Sequence, residues 1–399
     1  METEVKRARV IVDFSIEKKI SNRVKYIYKN TISHIVGDFK KGDIVDLYSK
    51  KGNFLGQGFI NPDSKKNLII ILTWSGEEFN EKVLMERLNS AVKYRFKYAL
   101  KSHESFRIVD DINDLLPGLI IDKLKDLVVI NVFTPGWLNF LDYIMFFIDN
   151  RFDVKTIYLN IPKEIMENEK MPYGSKVLKG EISKKEYVIE ERGFKFLFDF
   201  TNYREIGVFF KTRSVREYLY EDINLIDKRV LLINPTVAVG APYLIHAGIK
   251  QLYILSSSKD KEEFNNKILK LNSLMNSDVI KYITSTSIEY LKKNSEKFDV
   301  IILGDLDFSR KDFNEDDLKS YGTLQQLIFG HLKKGGIYID MTPEKFNNIN
   351  NYKNLILDIV KSSNMYIQLV KSFSYEFDKP LLLTGSILLN YSAVSYRVI

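Results

Sequence analysis

Two short stretches carry the residue types that chemistry needs. In FDVIILGDLDFSR an apolar strand pattern ends at Leu303 and runs out into Gly304, Asp305, Leu306, Asp307 and Phe308. In YIDMTPEKF a second strand runs out into Asp340, Met341 and Thr342. A general base must lie within hydrogen-bond reach of its proton, so Asp305 and Asp307 enter as displaced candidates whose plain reading is solvated loop acids. Thr342 offers a hydroxyl with no neighbouring base to activate it. None of the 399 residues is cysteine, which removes thiolate nucleophiles, thiolate metal sites and disulfides. The histidines, His34, His103, His246 and His331, are scattered without ligand spacing, and no metal is expected.

The elements that must position these residues are strands of an α/β sheet. Val230 to Ile233 is an apolar run too short for a helix that ends at Pro235, and Leu252 to Leu255 is a second one. A helix between them gives a βαβ unit, and ligands of such sheets sit at the carboxyl ends of the strands. That places Asn234 to Gly240 and Ser256 to Ser258 beside a cofactor. Alternation of strand and helix continues through Phe298–Leu303, a helix around Tyr321–Leu332, the Gly335-Gly336 turn and Ile337–Ile339.

Upstream, the pattern from Arg9 to about Trp74 is all-β. Lys51-Gly52 marks a hairpin between Ile44–Tyr48 and Phe54–Ile60. A basic helix, Glu86 to Leu100, a strand at Val154–Asn160, and a hairpin of Tyr187–Glu190 with Phe194–Phe200 follow. The hydrophobic fraction of 45% and charged fraction of 28% are those of a globular chain long enough for several domains. A net charge of +7 and a pI near 9.0 favour a polyanionic partner. No apolar run reaches the length of a signal-peptide core or a membrane span, and a cytoplasmic location is expected.

KGDIVDLYSKKGNFLGQGFINPDSK resembles the PUA domain that opens a family of class I S-adenosylmethionine-dependent large-subunit rRNA cytosine-C5 methyltransferases. FRIVDDINDLLPGLIIDKLKDLVVINVF resembles that family's central domain, and TNYREIGVFFKTRSVREYL its GQKTGFFLDQR stretch, with Gly207, Phe209 and Arg213 matching. Asp378-Lys379-Pro380 resembles the family's DHP turn. The resemblance implies a PUA-like β-barrel (1–75), an α+β middle domain (76–200) and a Rossmann-like methyltransferase domain (201–399). It also implies S-adenosylmethionine as cofactor, ribosomal RNA as partner and pairing as a homodimer.

The positions that carry the family's chemistry depart from its pattern. Arg204, Glu205, Ile206 and Lys211 replace polar residues of the GQKTGFFLDQR stretch. The cofactor loop Tyr-Thr-Gly-Gly-Phe reads Thr236, Val237, Ala238, Val239 and Gly240, with Asn234 ahead of it. Ser256 stands where the family has the acid that holds the ribose, and Thr286 where it has a third acid. Gly304 stands at the catalytic Asp of Asp-Pro-Pro-x-Phe, and no cysteine follows the Gly-Gly turn. The expected function is therefore an RNA-binding protein that has lost cytosine-C5 methylation and S-adenosylmethionine binding. The alternatives are an active methyltransferase with a cysteine-independent mechanism, or a protein-binding assembly factor. Lys40, Lys41, Lys50, Lys51, Lys65 and Lys66 on turns of the first domain, with Arg87, Lys93, Arg95 and Lys97 along the basic helix, are the expected RNA contacts.

Overall fold

The computed structural model describes residues 7–399 apart from 66–67, 75, 99–103, 235–239, 275–277, 305–314, 343–345, 347–348, 364 and 374–392. Two compact units meet in sequence between Lys185 and Glu186. Three domains with boundaries at 75 and 200 were expected; the first unit spans the expected first domain and the middle domain as far as Lys185, and residues 186–200 belong to the second unit.

The first unit opens with β1 (Arg9–Val12), α1 (Phe14–Ser21), β2 (Tyr26–Ile27), β3 (Ile32–Val36), β4 (Ile44–Ser49), β5 (Phe54–Ile60) and β6 (Ile69–Trp74). They form a sheet in the order β2-β6-β5-β4-β1-β3, antiparallel except for the β1–β4 pair. The β4–β5 turn is the expected hairpin, with Gly52 at φ 83 where a side chain would be strained. Then come α2 (Glu81–Tyr98), β7 (Phe106–Asp110), β8 (Leu119–Leu124), β9 (Leu127–Val132), α3 (Leu141–Arg151), β10 (Thr156–Asn160), α4 (Lys163–Glu169) and β11 (Lys176–Lys179). Strands β7 to β11 lie side by side in reverse chain order.

Aromatic packing links the two sheets of the first unit. Phe59 of β5 meets Trp137 edge-on at 5.1 Å and Phe79 at 6.2 Å, and all three belong to the core cluster that also holds Ile108, Ile121 and Ile130 of the second sheet. Phe59 and Leu72 thus tie the first sheet to the core of the second, while Val10, Val12, Val45, Leu47, Ile60, Ile69 and Ile71 form a separate core of its own.

Helix α2 starts earlier than its basic residues suggest, because Asn80 accepts the Val83 N–H at 3.0 Å and supplies the cap. Its arginines also correct an expectation. Arg95 is fully buried, forked onto Asp114 at 2.7 and 2.9 Å, and Arg87 is 7% exposed, bonded to Glu77 and to the Leu72 carbonyl. Neither side chain reaches solvent RNA. Lys93 and Lys97 remain on the outer face.

The second unit begins with the hairpin β12 (Glu186–Glu191) and β13 (Phe194–Asp199), followed by α5 (Tyr203–Lys211) and α6 (Arg213–Glu217), which continues as one π turn to Asp222. Beyond them stand β14 (Arg229–Ile233), α7 (Ala241–His246), β15 (Gln251–Ser256), α8 (Lys259–Leu271), β16 (Ile280–Thr284), α9 (Ser287–Lys293), β17 (Phe298–Leu303), α10 (Glu315–His331), β18 (Leu332–Asp340), α11 (Ile349–Ser362), β19 (Ile367–Phe373) and β20 (Ala393–Val398). Among the described residues they build a seven-stranded sheet, β16-β15-β14-β17-β18-β20-β19, parallel except for β20, which runs antiparallel to both β18 and β19.

The central strands are apolar throughout because helices cover both faces. Leu231, Ile233, Ile301 and Leu303 face α9, α10 and α11, whereas Val230, Leu232, Val300 and Ile302 face α6, α7 and α8. The expected Gly335-Gly336 turn lies within β18 as an irregularity, with Gly335 at φ 77. The order reverses between β14 and β17, so their carboxyl ends frame the crevice where such sheets hold ligands.

Candidate cofactor crevice and nucleic-acid surface

At that crevice two chain segments touch backbone to backbone. The Gly304 N–H donates to the Ile233 carbonyl at 2.9 Å, and the Asn234 N–H donates to the Leu255 carbonyl at 2.9 Å. Asn234 takes the left-handed conformation (φ 48), which turns its carbonyl across Gly304. A Cβ on residue 304 would stand 2.3 Å from that oxygen and 3.2 Å from the Ile233 oxygen. Only glycine fits while the backbone keeps this course. Asp305, Asp307 and Phe308 lie outside the described residues, as do residues 235–239 of the loop and Asp378-Lys379-Pro380.

The other crevice residues are engaged in local structure. Ser256 is buried at the end of β15, its hydroxyl 3.2 Å from the Ser258 carbonyl and 3.3 Å from the Ser258 N–H. Thr286 caps α9, its hydroxyl oxygen accepting the Glu289 N–H at 3.3 Å. Gly240, at φ 65, opens α7, and a Cβ there would lie 2.7 Å from the Tyr243 ring.

Arg213 reaches a buried carboxylate, and Phe209 packs on the arginine beside it. Glu191, at the end of β12, accepts from Arg216 at 2.7 and 2.9 Å, from Arg213 at 3.2 Å and from the Tyr243 hydroxyl at 3.0 Å. Arg216 also donates to the Phe209 carbonyl at 2.8 Å, and its guanidinium lies 3.8 Å from the centre of the Phe209 ring. Phe209 packs on Phe196 and Phe198 at 5.0 and 4.9 Å, with Gly207 buried on the same helix. Burial alone would raise Glu191, but the Arg216 charge and hydrogen bonds, then those of Arg213, hold it down at about 2.

Sequence reasoning missed a second buried carboxylate, at the end of β18. Asp340 accepts from the Tyr321 hydroxyl, from the Thr342 hydroxyl at 2.6 Å and N–H at 2.9 Å, from the Tyr352 hydroxyl at 2.9 Å and from the Gln325 amide at 3.2 Å. Burial pushes Asp340 above the ordinary carboxylate value against the pull of Thr342, Tyr321 and Tyr352. The Thr342 hydroxyl is thus fixed on Asp340 in a site closed to solvent. Two signals were present: polar residues at every second position along Tyr338, Asp340 and Thr342, and Tyr321 and Gln325 four apart on a helix.

On the first unit the turn lysines divide. Lys41 pairs with Asp63 at 2.5 Å and donates to the Lys170 carbonyl at 2.9 Å, and Lys50 pairs with Asp13. Lys40, Lys51 and Lys65 are exposed, while Lys66 lies outside the described residues. Among the described residues no group of three His, Cys, Asp or Glu side chains is placed to hold a metal, and no helix is long and apolar enough to cross a membrane.

Residues 10–68 match the family model of a PUA-like domain. The chain is 24% identical over 375 residues to ribosomal RNA large subunit methyltransferase I of Aliivibrio fischeri, covering 92% of this chain and 93% of that one. Along nearly its whole length it is a relative of proteins named as large-subunit rRNA methyltransferases, with a PUA-like domain of its own. The namesake from Escherichia coli O157:H7 is 21% identical over 388 residues, covering 94% of this chain and 96% of its own length. A SAM-dependent methyltransferase candidate from Streptococcus mutans superposes with a TM-score of 0.77 at 16% identity, over 98% of this chain and 100% of that one. A methyltransferase candidate crystallised with SAH gives 0.76 at the same identity, over 98% and 100% of the two chains. This chain therefore has the fold of those two structures, with the PUA-like domain match at residues 10–68.

The Glu191 cluster sets a testable acid limit. A carboxylate held near 2, against 4.5 unperturbed, stabilises the fold above about pH 4.5 and loses that contribution as pH falls towards 2, on the order of 3 kcal/mol. Glu191→Gln leaves Arg216 without its counter-charge and should cost about 3–5 kcal/mol at neutral pH. Urea unfolding of both proteins between pH 7 and pH 3 should show the gap narrowing with acid; parallel curves would contradict the assignment.

Proposed function

We propose that the protein binds RNA, ribosomal RNA in the first place, and no longer methylates cytosine at C5. The observation that carries this reading is the complete absence of cysteine. Ring carbon C5 of cytosine is a poor nucleophile until a thiolate has added to C6, and no thiolate exists in the chain. The hydroxyl nearest the corresponding place, Thr342, is buried and donates to Asp340. A carboxylic acid at residue 304 would need the Asn234 backbone to move.

Three features of the described residues speak against a fit for S-adenosylmethionine in the family manner. Ribose hydroxyls are paired donors that call for a carboxylate, and Ser256 presents a hydroxyl turned onto its own loop. Thr286 is engaged as a helix cap. Phe209 and Arg213, matching residues of the stretch that packs beside the cofactor in the family, pack instead around Glu191. Support for RNA comes from the PUA-like domain, the net charge of +7 and the exposed lysines of its turns. A cytoplasmic location accords with such a substrate. Homodimer pairing, implied by the resemblance, finds no support in the comparisons and forms no part of the proposal.

Incubation of the purified protein with labelled S-adenosylmethionine and rRNA from a strain deleted for it should leave cytosine unlabelled. Labelled 5-methylcytosine would overturn the proposal, and label on another base would establish the cysteine-independent alternative. Binding of structured rRNA fragments should weaken with salt at a slope of about 0.7–0.9 per phosphate contacted. Lys40, Lys51 and Lys65 changed together to Glu should lower that affinity and flatten the slope at unchanged melting temperature, as read by fluorescence anisotropy. Equal affinity for both proteins would remove these lysines from the RNA surface.

A further inference from the structure

A hollow of about 430 Å³ in the first unit is lined by Ile16 and Lys19 of α1, by Arg23, Val24, Lys25, Tyr26, Tyr28 and Thr31 of the following segment, and by Ile112. Its size falls within the range of small-molecule sites, about 300–1,000 Å³. Its lower wall is fixed. Lys25 pairs with Asp111, and Asp111 also accepts the Gly118 N–H at 2.6 Å. Trp74 donates to the Val24 carbonyl at 3.2 Å, and Tyr26 is paired to Ile70 in the sheet.

The rim differs from the floor. Lys19, Arg23 and Tyr28 are exposed, Tyr28 to 50%, and among the described residues none of these side chains has an ion-pair or hydrogen-bond partner. Because Asp111 neutralises Lys25, the rim keeps two uncompensated positive charges beside an open aromatic face. The apolar back wall comes from Ile16 and Ile112. A planar ring on Tyr28, an anion on Lys19 and Arg23, and a rigid floor together describe a receptor for one nucleotide of unpaired RNA. Bases in single strands stack on aromatic side chains, whereas duplex bases are already stacked.

We propose that this hollow takes a single unpaired nucleotide, its base stacked on Tyr28 and its phosphate held by Lys19 and Arg23. The inference rests on the RNA-binding reading above and adds to it where one base leaves the RNA fold. It also separates two kinds of contact within the PUA-like domain, since the turn lysines meet phosphates of any conformation.

The test uses the full chain with a short fluorescein-labelled single-stranded RNA and a duplex of the same sequence. Tyr28→Ala should weaken binding of the single strand about five- to a hundredfold and leave the duplex unchanged. Tyr28→Phe should bind as the parent does, because the ring remains. Lys19→Glu with Arg23→Glu should weaken the single strand and lower its salt slope. Melting temperatures guard against misfolding, and an exposed tyrosine should not shift them. If Tyr28→Ala binds the single strand as the parent does while the turn-lysine variant loses RNA, the hollow is no nucleotide site and the RNA reading stands. If the parent binds neither RNA, both fall together. A loss of equal size for duplex and single strand would leave charge alone and overturn the stacking role.

Discussion

The crevice of the methyltransferase-fold unit is governed by the approach of the Asn234 carbonyl to Gly304. Two parallel strands, β14 and β17, deliver their carboxyl ends side by side, and the first residue beyond each strand shares one small space. Asn234 enters it by adopting a left-handed backbone, and glycine at 304 leaves it open. Any side chain at 304 would require this backbone to take another course. Glycine at 304 and the left-handed backbone at Asn234 therefore belong together as one local arrangement.

Two buried carboxylates then fix what surrounds the crevice, one on each side of the sheet. Glu191 ties the hairpin, α5, α6 and α7 together through Arg213, Arg216 and Tyr243. Asp340 ties β18 to α10 and α11 through Tyr321, Gln325 and Tyr352. Their electrostatics differ in sign: cations lower Glu191, whereas burial among neutral hydroxyls raises Asp340. Removing one partner from either cluster leaves a desolvated group unmatched, which costs more than the cluster contributes net. Phe209, Arg213 and Arg216 thus serve packing around Glu191, and the end of β18 holds an inward-facing polar cluster.

Much of the fold was legible because its signals are local. The apolar runs Val230–Ile233, Leu252–Leu255 and Phe298–Leu303 are strands, and the turns Lys51-Gly52 and Arg192-Gly193 are hairpins, because strand length and turn chemistry are written within a few residues. What sequence could not supply was the direction of long polar side chains. Arg87 and Arg95 read as a basic face of α2, yet both turn inward to Glu77 and Asp114, partners set by tertiary packing. Nor could sequence supply the Phe59, Phe79 and Trp137 contacts that join the first sheet to the core of the second, since these rings lie far apart in the chain. Asp340 drew notice only as a neighbour of a missing cysteine, since its donors come from three separate segments.

The central claim, that the crevice no longer serves S-adenosylmethionine, is tested most directly by calorimetric titration of the purified protein with that cofactor. Losing two hydrogen bonds to charged partners, at about 1.5–3 kcal/mol each, weakens binding roughly a hundredfold or more. The account predicts no measurable heat of binding at low micromolar cofactor. A saturable isotherm with low-micromolar affinity would contradict it.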